Sequence, residues 1–237
     1  MIVAVIPARS GSKAIVDKNI QLLGDKPLLA WTIELCKMCP TIDRVIVSTD
    51  SQAYADIALK YGAEVPFLRP SAISNDSSTD LDFVLHLMTY LDQTGSQPDL
   101  LLHMRPTTPF RVSSVVENAI EAFRSAQHAT SSRSVQKMSE SAFKSLLVDN
   151  HGYVNPLTSK PGLLCLEDAN QPRQSFPDTY TGNGYVDIII PSVVKETGTL
   201  YGNKCLAFLT DTVIEIDEQS DLDMARKFLQ VGFIANH

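Results

Sequence analysis

The chain has 237 residues, of which 44% are hydrophobic and 20% are charged, and its formal net charge is −7. These values fit a single globular domain with a sizeable core. They argue against a nucleic-acid partner, because a protein that binds a phosphate backbone needs a broad basic surface. No apolar run is long enough to span a bilayer, so we expect a cytoplasmic protein without a membrane partner.

The first nineteen residues combine an apolar run with a basic loop. Residues 2–6 predict a strand that is buried on both faces. Small residues at the carboxyl end of such a strand let backbone N–H groups approach an anion, and basic side chains add the charge that a polyphosphate needs. We therefore predict a phosphate-binding loop, with a solvated basic turn as the alternative. Its residues are Ala8, Arg9, Ser10, Gly11, Ser12, Lys13, Lys18 and Asn19.

Strand-like and helix-like segments alternate along most of the chain. Further strands are predicted at residues 43–48, 64–68, 99–103, 130–135, 186–190, 204–209 and 213–217, and helices at 27–39, 52–61, 81–91, 112–126 and 219–233. This order predicts an α/β fold, a Rossmann-like and mostly parallel sheet flanked by helices. Cys36 and Cys39 form a C-x-x-C pair at the end of the first helix. We interpret them as core thiols, with a redox pair as the alternative.

Residues 139–180 interrupt this alternation. A strand at 144–148, a turn at 149–152 and a proline-rich return predict a small antiparallel arm, inserted into a single domain that spans residues 1–237. An arm that leaves a parallel sheet in this way commonly forms a dimer interface. We therefore expect a homodimer.

Acidic residues begin two of the predicted helices. The run Thr49-Asp50-Ser51 follows the second strand and is a natural cap for the next helix, and for Asp50 we favour capping over contact with a ligand. The polar segment 69–80 predicts a mobile lid or a base-recognition loop. Its last residue, Asp80, is either a helix cap or a ligand contact. The helix at 112–126 is expected to be capped by Ser113 or Ser114, and Asp217 or Ser220 is an alternative cap for the helix at 219–233.

A second polar loop follows the predicted strand at 99–103. Arg105, Thr107, Thr108 and Arg111 alternate with prolines, a composition that is typical of an ordered loop pointing into the ligand crevice. His103, just before this loop, is predicted to be buried and neutral.

Two carboxylates end the predicted strand at 213–217. Alternation along a strand places Glu215 and Asp217 on the same side, where they repel each other unless a cation lies between them. A hard divalent ion such as Mg²⁺, held by few carboxylates together with substrate phosphates, resolves that repulsion. The alternative is that Asp217 simply caps the closing helix.

Four runs in this chain, taken together, resemble the acylneuraminate (nonulosonic acid) cytidylyltransferases, which activate sialic acid and its bacterial relatives as CMP-sugars. The runs are Pro7-Ala-Arg-Ser-Gly-Ser-Lys13 with Lys18-Asn19, Arg105-Pro-Thr-Thr-Pro109, Gln171-Pro-Arg-Gln-Ser-Phe-Pro177 with Asn183-Gly184, and Glu215-Ile-Asp217. The chain departs from the family pattern at Ser10 and Ala14, where the family has Gly, at Val16, where it often has Pro, and at Glu215, where it has Asp.

The resemblance implies CTP and a nonulosonic acid as substrates, Mg²⁺ as cofactor, and a homodimer in which the partner subunit completes the sugar site. It assigns Lys13, Lys18 and Asp217 to catalysis, with Glu215 and Asp217 as metal ligands. The implied nucleotide contacts are Ala8, Arg9, Ser10, Gly11, Ser12, Asn19, Arg69 and Asp80. The implied sugar contacts are Arg105, Thr107, Thr108, Lys144, Arg173, Gln174 and Asn183.

The form of the second run looks more like members that handle legionaminic or pseudaminic acids, because members acting on sialic acid often have Gln at Arg105. Two other functions stay open at this point. One is transfer of another nucleotide or activation of another sugar, such as 3-deoxy-manno-octulosonate or pseudaminate. The other is a nucleotide-binding protein without catalysis.

Overall fold

The computed structural model of the chain describes residues 1–157 and 165–231. The described residues form ten strands: β1 (Ile2–Pro7), β2 (Leu22–Leu23), β3 (Lys26–Pro27), β4 (Arg44–Ser48), β5 (Leu100–His103), β6 (Ser131–Lys137), β7 (Leu146–Val148), β8 (Val154–Pro156), β9 (Tyr180–Ile189) and β10 (Cys205–Leu209). Their α-helices are α1 (Leu28–Met38), α2 (Gln52–Lys60), α3 (Asp80–Gln93), α4 (Ser113–Ser125), α5 (Leu166–Ala169), α6 (Pro191–Thr197) and α7 (Gln219–Gln230).

Six of these strands form the central sheet, in the order β10-β6-β9-β5-β1-β4. β1 runs parallel to β4 and β5, and β10 runs parallel to β6, whereas β9 is antiparallel to β5 and β6. The predicted mostly parallel, Rossmann-like sheet is therefore confirmed. The antiparallel strand in its middle was not predicted. The arm lies between β6 and β9 in the chain. It begins at the carboxyl end of β6 and brings the chain back to that end of the sheet, so β9 runs in the opposite direction to β6.

β1 is buried on both faces, as its sequence predicted. Ile2, Ala4 and Ile6 pack into the layer formed by α1, α2 and α4, while Val3 and Val5 pack against α3 and α6. Each of these five side chains is at most 2% exposed. Successive side chains of β1 thus point in turn to one helical layer and to the other, as alternation along a strand requires. Because β1 is held in this way, its carboxyl end is a fixed platform for the loop that follows.

The thiols of the C-x-x-C pair are core groups. Cys36 and Cys39 are buried between α1 and the sheet, and neither forms a disulfide. Burial raises the pKa of Cys36 to about 12 and that of Cys39 to about 11. Both thiols are therefore protonated near neutral pH and poorly nucleophilic, which fits the interpretation as core thiols and not the redox alternative.

Two predicted strands are absent from the sheet. Residues 64–68 form only isolated bridges, at Glu64 and Leu68. Residues 213–217 form no strand and run along the end of the sheet, where the Val213 N–H donates to the Gln136 side chain. The prediction for 213–217 was wrong because β10 ends at Leu209, after which the chain leaves the sheet edge.

The cap of α2 is not the favoured Asp50, and the helix-cap alternative for Asp80 at α3 does not hold. Ser51, not Asp50, caps α2 by accepting a hydrogen bond from the Tyr54 N–H. Thr79, not Asp80, caps α3 and exchanges hydrogen bonds with Asp82. Asp50 and Asp80 therefore do not cap helices, and their carboxylates make contacts elsewhere in the fold.

The N-terminal caps of α4 and α7 also differ from those considered in the sequence analysis. α4 begins at Ser113 without a side-chain cap, so neither predicted serine caps it. At α7 the N-cap is Glu218, and Asp221 accepts hydrogen bonds from the backbone N–H groups of Asp217 and Glu218, so the alternative in which Asp217 or Ser220 caps this helix does not hold. The described part of α7 ends at Gln230, and residues 232–233 of the predicted helix lie outside the described residues.

The predicted arm contains a β7–β8 hairpin whose turn is closed by a hydrogen bond from the Gly152 N–H to the Asp149 carbonyl. Its first strand is shorter than predicted, because residues 142–144 form a 3-10 turn. Residues 158–164 of the arm lie outside the described residues. Within the described chain, no helix has the length and apolar character needed to cross a membrane.

Candidate active site

A cleft of about 310 Å³ opens where β1 and β5 end, and Pro7 and His103 from these two strands form part of its wall. The other lining residues come from segments far apart in the chain. The structure places ten of the predicted site residues in this lining: Arg9, Ser12, Lys18, Asn19, Arg69, Asp80, Arg105, Thr107, Glu215 and Asp217. The crevice predicted at the carboxyl end of the parallel strands is therefore present.

The basic loop after β1 is fixed by contacts to the neighbouring strand end. Asp50 accepts two hydrogen bonds from Ser10, and the Asn19 side chain donates to the Arg9 carbonyl. Gly11 has a φ of +72°, a conformation that side chains disfavour. Ser10 and Gly11 thus shape the loop without lining the cleft, and Ala8 is buried beneath it.

One acidic residue holds two of the basic groups of this loop. The Asp76 carboxylate lies 3.0 Å from Arg9 Nη2 and 2.6 Å from Lys13 Nζ. Lys13 is 82% exposed and does not line the cleft in this arrangement. Asp76 belongs to the polar segment that was predicted as a lid or a base-recognition loop. The segment is thereby tethered to the phosphate loop through a carboxylate.

Lys18 connects the phosphate loop with the acidic segment. Its ammonium donates to the Ile216 carbonyl and to the Asp217 carboxylate, at 3.1 Å in both cases. Burial raises the pKa of the Glu215 carboxyl, and the charge of Asp217 raises it further. The two carboxylates line the same cleft and repel each other, although they do not lie on a strand of the sheet.

Arg69 supplies a buried cation to the cleft. Its guanidinium donates to the hydroxyl and to the carbonyl of Ser48 and lies 5.1 Å from the centre of the Phe83 ring. Burial lowers the pKa of Arg69 to about 10, which still leaves it charged at neutral pH. Its position at the end of β4 places a fixed positive charge beside the phosphate loop.

Arg111 has a different role from the one that its loop predicted. It is buried rather than pointing into the crevice, and its guanidinium makes five hydrogen bonds. Their acceptors are the carbonyls of Arg105, Thr108, Gly184 and Tyr185 and the hydroxyl of Thr32. Arg111 therefore ties the second polar loop to β9.

Arg105 reaches the cleft past a glycine. A Cβ atom at Gly184 would lie 2.8 Å from the Arg105 side chain, and Gly184 has a φ of +63°. Beyond it, the Arg105 guanidinium donates to Asp80 Oδ2 at 2.7 Å. His103 Nδ1 lies 4.0 Å from the same oxygen, which is too far for a hydrogen bond.

Several predicted sugar contacts lie outside the cleft lining. Thr108 and Asn183 are buried behind it, where Thr108 donates to the Asn183 carbonyl and the Asn183 amide donates to Thr210. Lys144, Arg173 and Gln174 lie on the arm, and Arg173 donates to the Met138 carbonyl. Their role as sugar contacts stays a prediction.

Other cleft residues were not predicted as contacts. Ser78, Thr79 and Phe83 line it from the start of α3, and His103 and Pro106 line it from the end of β5 and the loop beyond. The polar composition of segment 69–80 could have indicated Ser78 and Thr79 as cleft residues. Nothing in the local sequence identified Phe83, because its spacing is that of a core residue.

Glu215 and Asp217 are the carboxylates that are best placed to hold a metal ion. Their chemistry fits Mg²⁺ as an ion carried in by a polyphosphate, because carboxylate oxygens are ligands that Mg²⁺ prefers and both residues line the cleft. Within the described part of the chain, no group of three or more His, Cys, Asp and Glu side chains is arranged to bind a metal. A metal here would therefore take further ligands from substrate and water.

Comparison with known proteins agrees with this geometry. A sequence model of the cytidylyltransferases matches residues 3–151. A CMP-N,N'-diacetyllegionaminic acid synthase of Legionella pneumophila is 31% identical over 237 residues, which is 98% of this chain and 97% of the relative. An N-acylneuraminate cytidylyltransferase of Escherichia coli is 30% identical over 226 residues, which is 94% of this chain and 51% of the relative.

Among solved structures, a CMP:2-keto-3-deoxy-manno-octonic acid synthetase complexed with CTP superposes with a TM-score of 0.71. The alignment covers 97% of this chain and 98% of that one at 15% identity, so it supports the fold alone. The sequence likeness, by contrast, extends from the phosphate loop through the second polar loop and, in the Legionella relative, over nearly the whole chain. The chain therefore belongs to the cytidylyltransferase family of nucleotidyltransferases.

Proposed function

We propose that this protein transfers CMP from CTP to the anomeric hydroxyl of a nine-carbon 2-keto sugar acid, a nonulosonic acid, and releases pyrophosphate. The observation that carries the proposal is the composition of one cleft. Arg9, Lys18 and Arg69 bring positive charge to it, and Glu215 and Asp217 bring negative charge, with Asp217 in contact with Lys18. A triphosphate needs the first set, and a divalent cation that accompanies it needs the second.

The chemistry that this arrangement supports is an in-line displacement. The anomeric oxygen forms a bond to the α-phosphorus, the bond from that phosphorus to the bridging oxygen breaks, and pyrophosphate takes the electron pair. Lys18 is fixed by two hydrogen bonds and is 15% exposed, so it is preorganised to face the phosphates. Asp217 accepts the proton of the hydroxyl or orients it. Catalysis then consists of positioning and of neutralising the charge that develops.

Mg²⁺ is the proposed cofactor, held by Asp217 and by Glu215. When bound, it would neutralise phosphate charge and polarise the phosphoryl group. Burial raises the pKa of Glu215 and the charge of Asp217 raises it further, and this second effect supports the assignment, because a cation between the two carboxylates would offset their repulsion. With the ion bound, the Asp217 carboxylate would be shared between the metal and Lys18.

The acceptor is proposed to be a legionaminic-type acid, because the Legionella relative, which matches over nearly its full length, carries that activity in its name. Arg105 and Thr107, the residues of the second polar loop that line the cleft, are its proposed contacts. A sialic or pseudaminic acid, or the shorter 3-deoxy-manno-octulosonate, is the alternative acceptor.

A homodimer is proposed to complete the sugar site through the arm. The hairpin exposes a run of apolar side chains, which a partner would cover: Leu146, Leu147, Val148, Tyr153 and Val154. Lys144 and Arg173 flank this hairpin and would carry positive charge to the carboxylate of an acid bound to the partner subunit.

Pyrophosphate release tests the proposal. CTP, GTP, UTP and ATP are each offered with Mg²⁺ and with legionaminic, sialic, pseudaminic and 3-deoxy-octulosonic acids. We expect release with CTP and one nine-carbon acid. Release with another nucleotide would overturn the cytidylyl assignment, and release with none would indicate nucleotide binding without catalysis. Light scattering at several protein concentrations measures the dimer, and a monomer throughout would contradict it.

A further inference from the structure

The residue before Lys18 has an unusual backbone conformation. Among the described residues, Asp17 and His128 are the non-glycine residues with a positive φ, and Asp17 lies in the left-handed region with a φ of +52° and a ψ of +38°. An L-amino acid disfavours this region, because its Cβ comes too close to the following carbonyl oxygen. Such residues persist only where surrounding contacts hold them, and they cluster at functional sites. Contacts around Asp17 must therefore supply that hold.

The Asp17 carboxylate does not hold its own backbone. An aspartate in the left-handed region typically makes hydrogen bonds to nearby backbone groups. Asp17 stands at the N-cap of the 3-10 turn Lys18–Ile20, but its side chain makes no cap hydrogen bond there. It accepts a hydrogen bond from Tyr54 Oη instead, at a distance of 3.1 Å. The partner of this side chain is therefore a residue of another element, 37 positions further along the chain.

Tyr54 is a rigid anchor for this contact. It lies in the first turn of α2, is 2% exposed and packs in the core layer between α2 and the sheet. Burial raises the pKa of its hydroxyl, which therefore stays protonated and can donate. Asp17, by contrast, is exposed. The fixed member of the pair is the tyrosine, so it is Tyr54 that restrains Asp17 and not the reverse.

The start of α2 holds both ends of the phosphate loop. Asp50, just before α2, accepts two hydrogen bonds from Ser10 at one end, and Tyr54 donates to Asp17 at the other. Neither Asp50 nor Tyr54 lines the cleft. We call these two contacts the α2 clamp. It fixes the loop from behind and leaves the cleft side of the loop free for a substrate.

The Asp17 end of the clamp determines where Lys18 begins. The Asp17 carbonyl accepts a hydrogen bond from the Ile20 N–H at 2.9 Å, and this bond closes the turn that starts with Lys18. From this turn the Lys18 side chain reaches the Ile216 carbonyl and the Asp217 carboxylate. An extended conformation at Asp17 would send the chain in another direction and open the turn. The left-handed conformation of Asp17 is thus a condition for the position of the Lys18 ammonium group.

We propose that Tyr54 is a positioning residue, which keeps Lys18 directed at the substrate phosphates by holding Asp17 in the left-handed conformation. An ammonium group that is held in advance stabilises the charge of the transition state without being reordered during the reaction. Loss of the hold should therefore lower kcat more than it raises the KM for CTP. The inference rests on the proposed function in one respect, the role of Lys18 in pyrophosphate release.

The first variant is Tyr54→Phe, which removes the hydroxyl group and keeps the ring. We expect kcat for pyrophosphate release to fall about five- to tenfold, because Asp17 then leaves the disfavoured conformation for part of the time. The KM for CTP should rise by about threefold at most, and the KM for the sugar acid should not change. The melting temperature should change little, since water can replace the hydroxyl at the exposed Asp17 carboxylate. An unchanged kcat would overturn the inference.

Substitutions of Asp17 separate positioning from packing of the Tyr54 ring. Asp17→Asn keeps an oxygen that accepts from Tyr54 and tolerates the left-handed region, so it should retain nearly the wild-type kcat. Asp17→Ala has neither property and should lose at least as much as Tyr54→Phe. Asp17→Gly adopts the conformation without help, so Tyr54→Phe should cause no further loss in that background. Equal losses from Tyr54→Phe with Asp17 and with glycine at this position would contradict the proposal.

Hydrogen exchange tests the clamp without turnover. The Ile20 amide, which donates to the Asp17 carbonyl, should exchange about threefold faster or more in Tyr54→Phe, because the turn opens more often. Tyr61→Phe is the matched control, since Tyr61 is the C-cap residue of the same helix and packs against the same core cluster. It should change neither this exchange rate nor kcat.

The two measurements distinguish failure of the inference from failure of the proposed function. If the wild-type protein releases no pyrophosphate with any acid, the proposed function fails, and the exchange rate of Ile20 still decides whether Tyr54 holds the turn. An unchanged exchange rate in Tyr54→Phe refutes that hold. An active wild type in which Tyr54→Phe speeds exchange but leaves kcat unchanged refutes the positioning of Lys18 alone.

Discussion

Asp50 accepts two hydrogen bonds from Ser10, one from its backbone N–H and one from its hydroxyl, and both measure 2.7 Å. The contact joins the loop after β1 to the segment after β4 across forty residues. It replaces the helix-capping role that the sequence indicated for Asp50, which Ser51 fulfils. The loop after β1 is thus held at its Ser10 end by a contact within the protein.

Asp50→Ala should weaken CTP binding about tenfold, because the loop must then be ordered at the expense of binding energy. Ser10→Ala removes only the hydroxyl bond and should weaken binding less. Calorimetric titration of CTP into each variant measures both effects. Wild-type affinity in Asp50→Ala would show that the loop is ordered without this contact.

Asp76 is expected to compete with the triphosphate. Its carboxylate occupies Arg9 and Lys13, and both ion pairs are largely exposed. Asp76→Asn should therefore tighten CTP binding by about two- to fivefold, and the gain should shrink as salt screens the charges. CTP affinity at low and high ionic strength measures the effect.

Asp92→Asn is the control for this prediction, because Asp92 forms a similar exposed ion pair with Lys195 away from the cleft. It should not change CTP affinity. Weaker CTP binding by Asp76→Asn would mean that Asp76 assists the nucleotide and does not compete with it.

Asp217 should be needed for turnover and not for folding. Its carboxylate is 65% exposed and pairs with Lys18, so Asp217→Ala should unfold at nearly the wild-type temperature. Turnover should fall about a hundredfold or more, and excess Mg²⁺ should not restore it. Asp223→Ala, an exposed acidic residue of α7, is the control. Unchanged turnover in Asp217→Ala would remove both the metal assignment and the catalytic one.

The parts of the site that were predictable depend on local sequence. The apolar run before Arg9 and the prolines around Thr107 each identify a strand end and its loop without knowledge of the rest of the fold. The position of Asn183 was not predictable in the same way. Its neighbours depend on β9 running antiparallel between β5 and β6, which follows from the path of the arm. Asp76 meets Arg9 across 67 residues, and no local pattern encodes that contact.

Arg111 should be essential for stability. Arg111→Met removes five hydrogen bonds and leaves buried carbonyls without donors, among them those of Gly184 and Tyr185. We expect a loss on the order of 3 kcal/mol in the free energy of unfolding, measured by urea denaturation. Arg226→Met provides the comparison. Arg226 donates to one carbonyl, that of Leu22, on the surface, so this substitution should lower the free energy of unfolding far less. Equal losses would show that burial of the guanidinium is not what matters.

His103 should make the fold sensitive to acid. Burial, with the charges of Arg105, Arg111 and Arg133, lowers the pKa of its imidazole below the usual 6.5, although Asp80 acts in the opposite direction. Above pH 6.5 the ring is neutral in the folded and unfolded states alike. As the pH falls through 6.5, the imidazole becomes protonated in the unfolded chain but stays neutral in the folded protein. The free energy of unfolding therefore decreases until the pH reaches the lower pKa of the folded state.

The measurement is urea denaturation of the wild type and of His103→Leu between pH 7 and pH 5. The wild type should lose on the order of 2 kcal/mol more than the variant over this interval, because the folded and unfolded pKa values are far apart. Parallel pH profiles would show that His103 accepts a proton in the folded state. In that case the ring would be a cation in acid.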